Sequence, residues 1–457
     1  MVPDNRMAPN GSEKKCAKTP RECLDHVDLC RWLKGLGWPN ETRLRIAAFP
    51  ETGKGLFSRK TIAAGERLIS LPFEALLGGT TIEQDESFRA MFDPESLEEQ
   101  DRPTEEKVSF QALLAFYLCA QEHQSNPTLA PYLNSLPSHF SNPYFCAKQE
   151  LGYLPEVLLT VMVKQNQQIK SEFEKLINTL RPEWRTVFSL ERFKWAHFVV
   201  NTRSVYVDPE IVRMINSFLP NGGGGGSLFD ALLSDAPSMA LAPFLDFFNH
   251  QSGTKTVSKL SLTVIQIRER LAKGKPLELF YDLFIEREFE RGAQIYISYG
   301  THNNTSLLLE YGFFLPNNPN DFVELTLEDV NGFIRHDPEL RCLRLPREKY
   351  RFLSDHQLNE QLFFVEDDLL SHNLTVCLTI LFVEQNIHNM RTIAFGSTPP
   401  LDPIRSLVHR LLDYLVLQMH RSIAGLTALP NLTASANAYR EYRRECVEFL
   451  NKIKNKL

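Results

Sequence analysis

The chain predicts an α+β fold: a β-rich part interrupted by a long helical insertion, then an all-α C-terminal part. Three observations carry this. Apolar residues alternate with period two around residues 56–71, a second β-rich region runs from Asn249 to Tyr299, and helical spacing fills the stretch between them and most of the chain beyond residue 355. A period of two buries one face of a strand, whereas a period of 3.6 buries one stripe of a helix. At 457 residues with 43% apolar and 23% charged side chains, the balance is that of a globular protein with a deep core.

Taken in order, residues 1–23 are polar and rich in Lys, Ser, Pro and Asn, the composition of a disordered tail. Val27, Cys30, Leu33 and Leu36 then fall at helical spacing, with Gly35 and Gly37 as a stop. Leu56–Lys60 and Arg67–Leu71 predict a hairpin turned through Ala63–Glu66 and closed by Pro72. Val108, Leu113, Leu114, Phe116, Tyr117 and Cys119 open a helical block that continues through 155–180 and 191–200. It spans about residues 100–240 and is expected to be an insertion within one domain covering 24–312. The five glycines of Asn221–Ser227 predict a linker; a phosphate-cradling loop would continue into Lys-Ser/Thr, which is absent.

A turn-rich break at Asn317–Asp321 precedes the C-terminal part, 313–457, where helices are expected over 356–385, 402–424 and 434–456. Ile404, Leu407, Val408, Leu411, Leu412 and Leu415 form one stripe without a sustained heptad, which favours a bundle packed on itself over a coiled coil.

Charge and composition exclude several roles. A net charge of −6 argues against gripping a nucleic-acid backbone, which needs a basic surface. No run approaches the ~20 apolar residues of a membrane span, and the N-terminus has no signal-type hydrophobic stretch. The expectation is an intracellular protein of nucleus or cytoplasm, monomeric, with no membrane or direct nucleic-acid partner. The eight cysteines form no CxxC pair, and the six-residue gaps between Cys16, Cys23 and Cys30 exceed the ~2–4 residues usual between paired zinc ligands. Reduced thiols and no metal are expected.

Three short strings carry chemistry. Thr52-Gly53-Lys54-Gly55-Leu56 reads as a glycine-kinked turn entering a strand, suited to close approach of backbone to a small cofactor. Asp246-Phe247-Phe248-Asn249-His250 ends an apolar segment, and Ile297-Ser298-Tyr299-Gly300 ends a β-rich one about fifty residues later. Each string is weak alone; a lone histidine on an apolar segment is more often a packed core residue.

Together with Asn201–Tyr206 and Ile295–Phe313, these strings resemble, in order and over about residues 30–325, the SET methyltransferases related to plant Rubisco large-subunit methyltransferase. The resemblance implies a SET catalytic domain with a pseudoknot-type active site, S-adenosylmethionine as cofactor and a C-terminal helical domain that binds the protein substrate. It implies that Gly53, Lys54, Gly55 and Leu56 wrap the cofactor, that Arg203 meets its carboxylate, and that Asn249 and His250 hold its adenine and methionine ends with Asp246 orienting the loop. Tyr299 matches the catalytic tyrosine, and Tyr311 an aromatic position beside the cofactor or the acceptor channel.

The implied activity is methylation of lysine on histone or non-histone proteins. Histidine methylation, as in a relative acting on actin, and an idle peptide-binding scaffold remain alternatives. Lysine is the harder acceptor: deprotonating an amine of pKa ~10.4 at pH 7 costs roughly 4.6 kcal/mol, so an apolar channel ending at a positive sulfonium is needed to favour the neutral form. Two departures stand out. Residues 271–287 look like an insertion, and no tyrosine follows shortly after His250 where relatives often place a second channel aromatic.

Overall fold

The protein was analysed as a computed structural model that describes Cys23 and residues 26–98, 103–218, 228–384 and 386–457. The rest of the expected tail, Cys16 and the glycine-rich linker lie outside the described residues. Cys23 itself is not part of a free tail: its N–H donates to the Ile46 carbonyl at 2.9 Å.

Helix α1 (Val27–Gly35) forms where expected, but Val27 is exposed and the helix docks through Leu29 and Leu33. Strands β1 (Leu44–Phe49) and β2 (Gly53–Ser58) form an antiparallel hairpin in which Ala47 faces Gly55. Strand β3 (Arg67–Pro72) joins another sheet. The expected hairpin of 56–60 with 67–71 is therefore not formed. The turn at Gly65 (φ +82°) exists, but it sends the chain from one sheet to another, because both partners of β2 come from elsewhere.

The helical insertion is built on α2 (Phe110–His123), α3 (Glu156–Thr179) and α4 (Leu190–Arg203). Ser109 and Ser189 cap α2 and α4 by accepting the N–H groups of Ala112 and Arg192; α2 is buried along most of its length and α4 along half of it. A short sheet orders β4 (Leu77–Gly78), β6 (Met239–Leu241) and β5 (Ser204–Tyr206), with β5 following directly from α4; α5 (Pro209–Ser217) comes next.

Strands β7 (Asn249–His250), β8 (Thr256–Leu260), β9 (Phe280–Ile285) and β10 (Gln294–Ile297) complete the β-rich part. The sheet orders are β1-β2-β10-β7 and β3-β9-β8. The segment 271–287 is therefore only partly an insertion. Its second half is β9, the central strand of its sheet, while the real excursion between β8 and β9 holds α6 (Val264–Ala272), anchored by fully buried Ile267.

Helix α7 (Asn304–Tyr311) leads into the C-terminal part. Helices α8 (Arg405–Ala428) and α9 (Ala434–Lys456) pack against each other as expected. The expected helix over 356–385 is not continuous. Strands β12 (Leu362–Val365) and β13 (Leu369–Leu370) pair antiparallel with each other, and β11 (Phe322–Leu325) pairs with β12, so a helix begins only at His372. The helical C-terminal region thus carries a three-stranded sheet. Among the described residues, no helix is long and apolar enough to cross a membrane, and no group of three His, Cys, Asp or Glu side chains is placed to hold a metal ion. Cys119, Cys377 and Cys446 are buried thiols, and burial raises their pKa to about 12, 12 and 11.

Candidate active site

Parallel pairing of β7 with β10 brings the distant strings together: Asn249 lies opposite Tyr296 and His250 opposite Ile297. On the other side of β10, Ile295 pairs with Leu56 of β2. The glycine-kinked turn therefore meets Asn249, whose Nδ2 donates to the Lys54 carbonyl at 3.0 Å. Gly53 has φ +71°, and a Cβ on Gly55 would come within 2.7 Å of Asn249 Nδ2 and 2.5 Å of Gln294 Nε2. Both glycines are thus required, the first by conformation and the second by proximity. Leu56 differs from expectation: its side chain is fully buried in the core, and it serves the site only through the backbone of β2.

Tyr299 lies two residues beyond β10 and is held at three points. Its N–H donates to His250 Nδ1 at 3.1 Å, its hydroxyl donates to the Phe248 carbonyl at 2.5 Å, and its ring stacks on His250 with centroids 5.2 Å apart. An imidazole nitrogen that accepts carries no proton, so His250 is neutral in this arrangement. Burial lowers the His250 pKa, the neighbouring His302 lowers it further, and the Ile297 carbonyl works against both. Burial also pushes the Tyr299 hydroxyl far up, only partly offset by Arg203, so Tyr299 is a neutral hydroxyl at physiological pH. Tyr311, the last residue of α7 before Gly312 ends the helix at φ +79°, stands 5.0 Å from the Tyr299 ring.

Arg203 ends α4 because Ser204 turns to extended geometry there. Its Nη1 pairs with Asp246 Oδ2 at 2.9 Å and also donates to the Asp246 carbonyl at 3.2 Å. Tyr132 donates to the same carboxylate oxygen at 3.2 Å. Burial opposes the Arg203 cation, but Asp246 more than offsets it and raises its pKa. Buried Arg203 Nε, Asp246 Oδ1 and His250 Nε2 have no hydrogen-bond partner. Arg203 and Asp246 line the cavities described below, and orphaned polar atoms on such residues are what a site shaped for a polar ligand leaves when protein groups alone are counted.

Two cavities flank Tyr299. The larger, about 600 Å³, is lined by Gly53, Lys54, the loop Ser135–Ser141, Phe247, Asn249 and Phe313. The smaller, about 240 Å³, is lined by Tyr206, Leu245, Phe248, Thr256, Ser258, Tyr281, Leu283 and Ser298. Thr202, Arg203, Asp246, Tyr299 and Tyr311 line both. The larger volume lies within the range of small-molecule sites, roughly 300–1,000 Å³.

Of the residues expected at the site, Gly53, Lys54, Arg203, Asp246, Asn249, Tyr299 and Tyr311 line these cavities. Gly55 underlies Asn249, His250 anchors Tyr299, and Leu56 is in the core. Several lining residues went unrecognised in the sequence. Phe247 and Phe313 stood inside the strings already singled out, and the polar Ser135–Ser141 run carries a loop signature. Tyr281 was hidden because its strand was taken for an insertion; it lines the smaller cavity beside Tyr206, Phe248, Tyr299 and Tyr311, and comes from β9 rather than from just after His250.

The fold is that of a SET domain, as in the solved structures of Rubisco LSMT. The solved SET domain of Rubisco LSMT bound to lysine and AdoHcy superposes with TM-score 0.55 at 17% identity, over 94% of this chain and 90% of that one. A structure of Rubisco LSMT bound to AdoMet does so with TM-score 0.55 at 16% identity, over 95% and 91%. In sequence, the chain is similar to SET domain-containing protein 4: 26% identical to that of Artemia parthenogenetica over 68% of each chain, and 27% identical to that of Mus musculus over 79% of this chain and 73% of the relative. It is also 26% identical to the actin-histidine N-methyltransferase of Xenopus tropicalis, over 66% of this chain and 45% of the relative. No protein-family model matches the chain.

Proposed function

We propose that this chain is an S-adenosylmethionine-dependent protein methyltransferase whose acceptor is a lysine side chain. The observation that carries the reading is that two cavities share one tyrosine, Tyr299; in this reading the donor would occupy the larger and the acceptor would enter the smaller. In-line displacement needs donor and acceptor approaching from opposite sides, with reacting atoms held near ~3 Å, and two separate cavities sharing the Tyr299 wall support that reading.

S-adenosylmethionine supplies a methyl group on a sulfonium. Gly53, Lys54 and Asn249 would hold it through backbone and amide groups, Phe247 and Phe313 through ring faces, and the unpartnered Arg203 Nε would meet its carboxylate. On the acceptor side, the Tyr299 hydroxyl gives its proton to the Phe248 carbonyl, which leaves its oxygen lone pairs to accept an N–H of the incoming amine. The Tyr281 and Tyr311 rings limit hydration of the amine, and the Arg203 cation nearby disfavours its protonated form. Buried, neutral Tyr299 also keeps negative charge away from the amine, which would otherwise favour the ammonium.

The likeness to actin-histidine N-methyltransferase supports a second reading, an imidazole acceptor. It is already neutral at pH 7 and needs less help from the channel. Histone and non-histone proteins are both open as substrates, with residues 313–457 as the proposed recognition domain. The test is transfer of radiolabelled methyl to histone octamers and to a cell extract, with wild type beside Tyr299→Phe, followed by identification of the modified side chain. Equal signal from both proteins would remove Tyr299 from the reaction; label on histidine alone would select the second reading. Failure to bind S-adenosylmethionine at high micromolar concentration would defeat both.

A further inference from the structure

We infer that His302 is a positioning residue for Tyr299, acting through the Tyr299 carbonyl. The inference rests on the reading of Tyr299 as the residue that aligns the acceptor. His302 Nε2 lies 3.2 Å from the Tyr299 carbonyl oxygen, and since a carbonyl only accepts, the imidazole donates. The Tyr299 N–H ends on the other imidazole, His250 Nδ1. Both backbone polar groups of this residue thus terminate on histidine rings. β10 ends at Ile297, so no sheet ladder orients the Tyr299 peptide units; the two rings do it, together with the Gly300 N–H, which donates to Ser298 Oγ at 3.2 Å.

The local backbone is shaped to admit the second ring. Gly300 has φ +126°, and a Cβ there would stand 3.1 Å from His302 Nε2. A side chain at 300 would be strained by its backbone and would crowd the imidazole against the carbonyl it serves. His302 is itself fixed: its carbonyl accepts from Asn318 Nδ2 at 2.9 Å, and its ring meets the Tyr311 ring edge-on at 5.7 Å. One imidazole therefore contacts both aromatic residues shared by the two cavities. Without it, the Tyr299–Gly300 peptide keeps only the bond from the Gly300 N–H to Ser298 Oγ at 3.2 Å, while the ring keeps its contacts with His250, Phe248, Tyr311 and Phe313.

The test uses the full chain and the variants His302→Ala and His302→Gln, the latter carrying an amide N–H able to reach the same carbonyl. Methyl transfer by His302→Ala should fall in kcat by about three- to tenfold, the worth of one hydrogen bond, with donor affinity unchanged and kcat largely restored in His302→Gln. A second readout needs no activity. With ring-labelled tyrosine, the signal assigned to Tyr299 by its loss in Tyr299→Phe should move in His302→Ala and return toward the wild-type position in His302→Gln. A Tyr299 signal unmoved by His302→Ala overturns the inference whether or not the protein transfers methyl groups. So does a kinetic defect confined to acceptor KM and not rescued by glutamine, since that would mark His302 as a substrate contact. An inactive wild type with the expected signal shifts would instead count against the proposed function alone. Should His302→Ala fail to fold, His302→Asn, whose shorter amide falls short of the carbonyl, takes its place with the same expectations.

Discussion

At the residue scale, the site depends on small displacements around Tyr299. Replacing Tyr299 by Phe keeps the ring packed on His250 and Tyr311 but removes the hydroxyl that bonds Phe248 and would receive the amine. Loss of one group aligned to the reacting atoms lowers kcat by roughly 10²-fold or more. Donor affinity should stay unchanged, which separates alignment from binding when turnover and calorimetric titration are measured on the same preparation. Gly55→Ala makes the opposite prediction. Its Cβ would overlap the amide ends of Asn249 and Gln294, so Asn249 must leave the Lys54 carbonyl. Losing that hydrogen bond weakens donor binding by about tenfold, with the melting temperature little changed because the displaced atoms are ends of flexible side chains. Wild-type affinity in Gly55→Ala would show that the Asn249 amide does not shape the donor cavity.

Elements explain what was legible in the sequence and what was not. α4 and α9 announced themselves because a single helix satisfies its own backbone and needs only a stripe of apolar residues to be recognised. The strands were harder. β2 and β3 form close to the expected residues but are buried in continuous runs rather than alternating, and they pair with β10 and β9, more than two hundred residues away; nothing local in a strand names its partner. The same holds for Leu362–Leu370, where Leu362, Val365 and Leu369 also fit a helical stripe and only pairing with β11 decides the matter. The site strings were legible because their residue types are constrained by chemistry, while Tyr281 was not, since its value comes from a register rather than a motif. Glu150 illustrates an element-scale contact invisible to pattern. Fully buried, it accepts the Ala147 N–H and both the N–H and hydroxyl of Thr433, the residue that caps α9. Glu150→Ala should leave those donors unpaired and destabilise the protein by about 3 kcal/mol, read as a lower denaturant midpoint. Glu150→Gln, which retains one acceptor, should lose less; equal losses would mean the carboxylate acts by charge rather than by bonding.

At the scale of the whole molecule, the insertion, the β-rich part and the C-terminal part share one buried core, with α9 reaching back to α7 through a 2.7 Å hydrogen bond between Tyr442 and Thr305. Stability should therefore respond to any group whose protonation differs between folded and unfolded chain. Two buried histidines do so in the same direction. His197 in α4 faces the Gln111 amide through Nε2 at 3.3 Å, has no partner at buried Nδ1, and is held by burial at a pKa of about 4. His250 is lowered by burial and by His302. A depressed histidine binds fewer protons when folded than when unfolded, so its contribution is complete above the unfolded value of ~6.5 and is lost as pH falls toward the folded one. For His197 that window runs from ~6.5 down to about 4, worth about 3 kcal/mol at its lower end. Buried carboxyls such as Asp246 and Asp321, which burial raises, act in the opposite sense as pH falls, so the wild-type curve alone mixes the two effects. The difference between wild type and His197→Gln isolates the histidine. Measured by denaturant titration from pH 7.5 to 4.5, the variant should lose less stability than wild type on acidification, with the gap widening by up to ~1.4 kcal/mol per pH unit below pH 6.5. Parallel curves would mean that His197 binds its proton as readily in the folded chain as in the unfolded one.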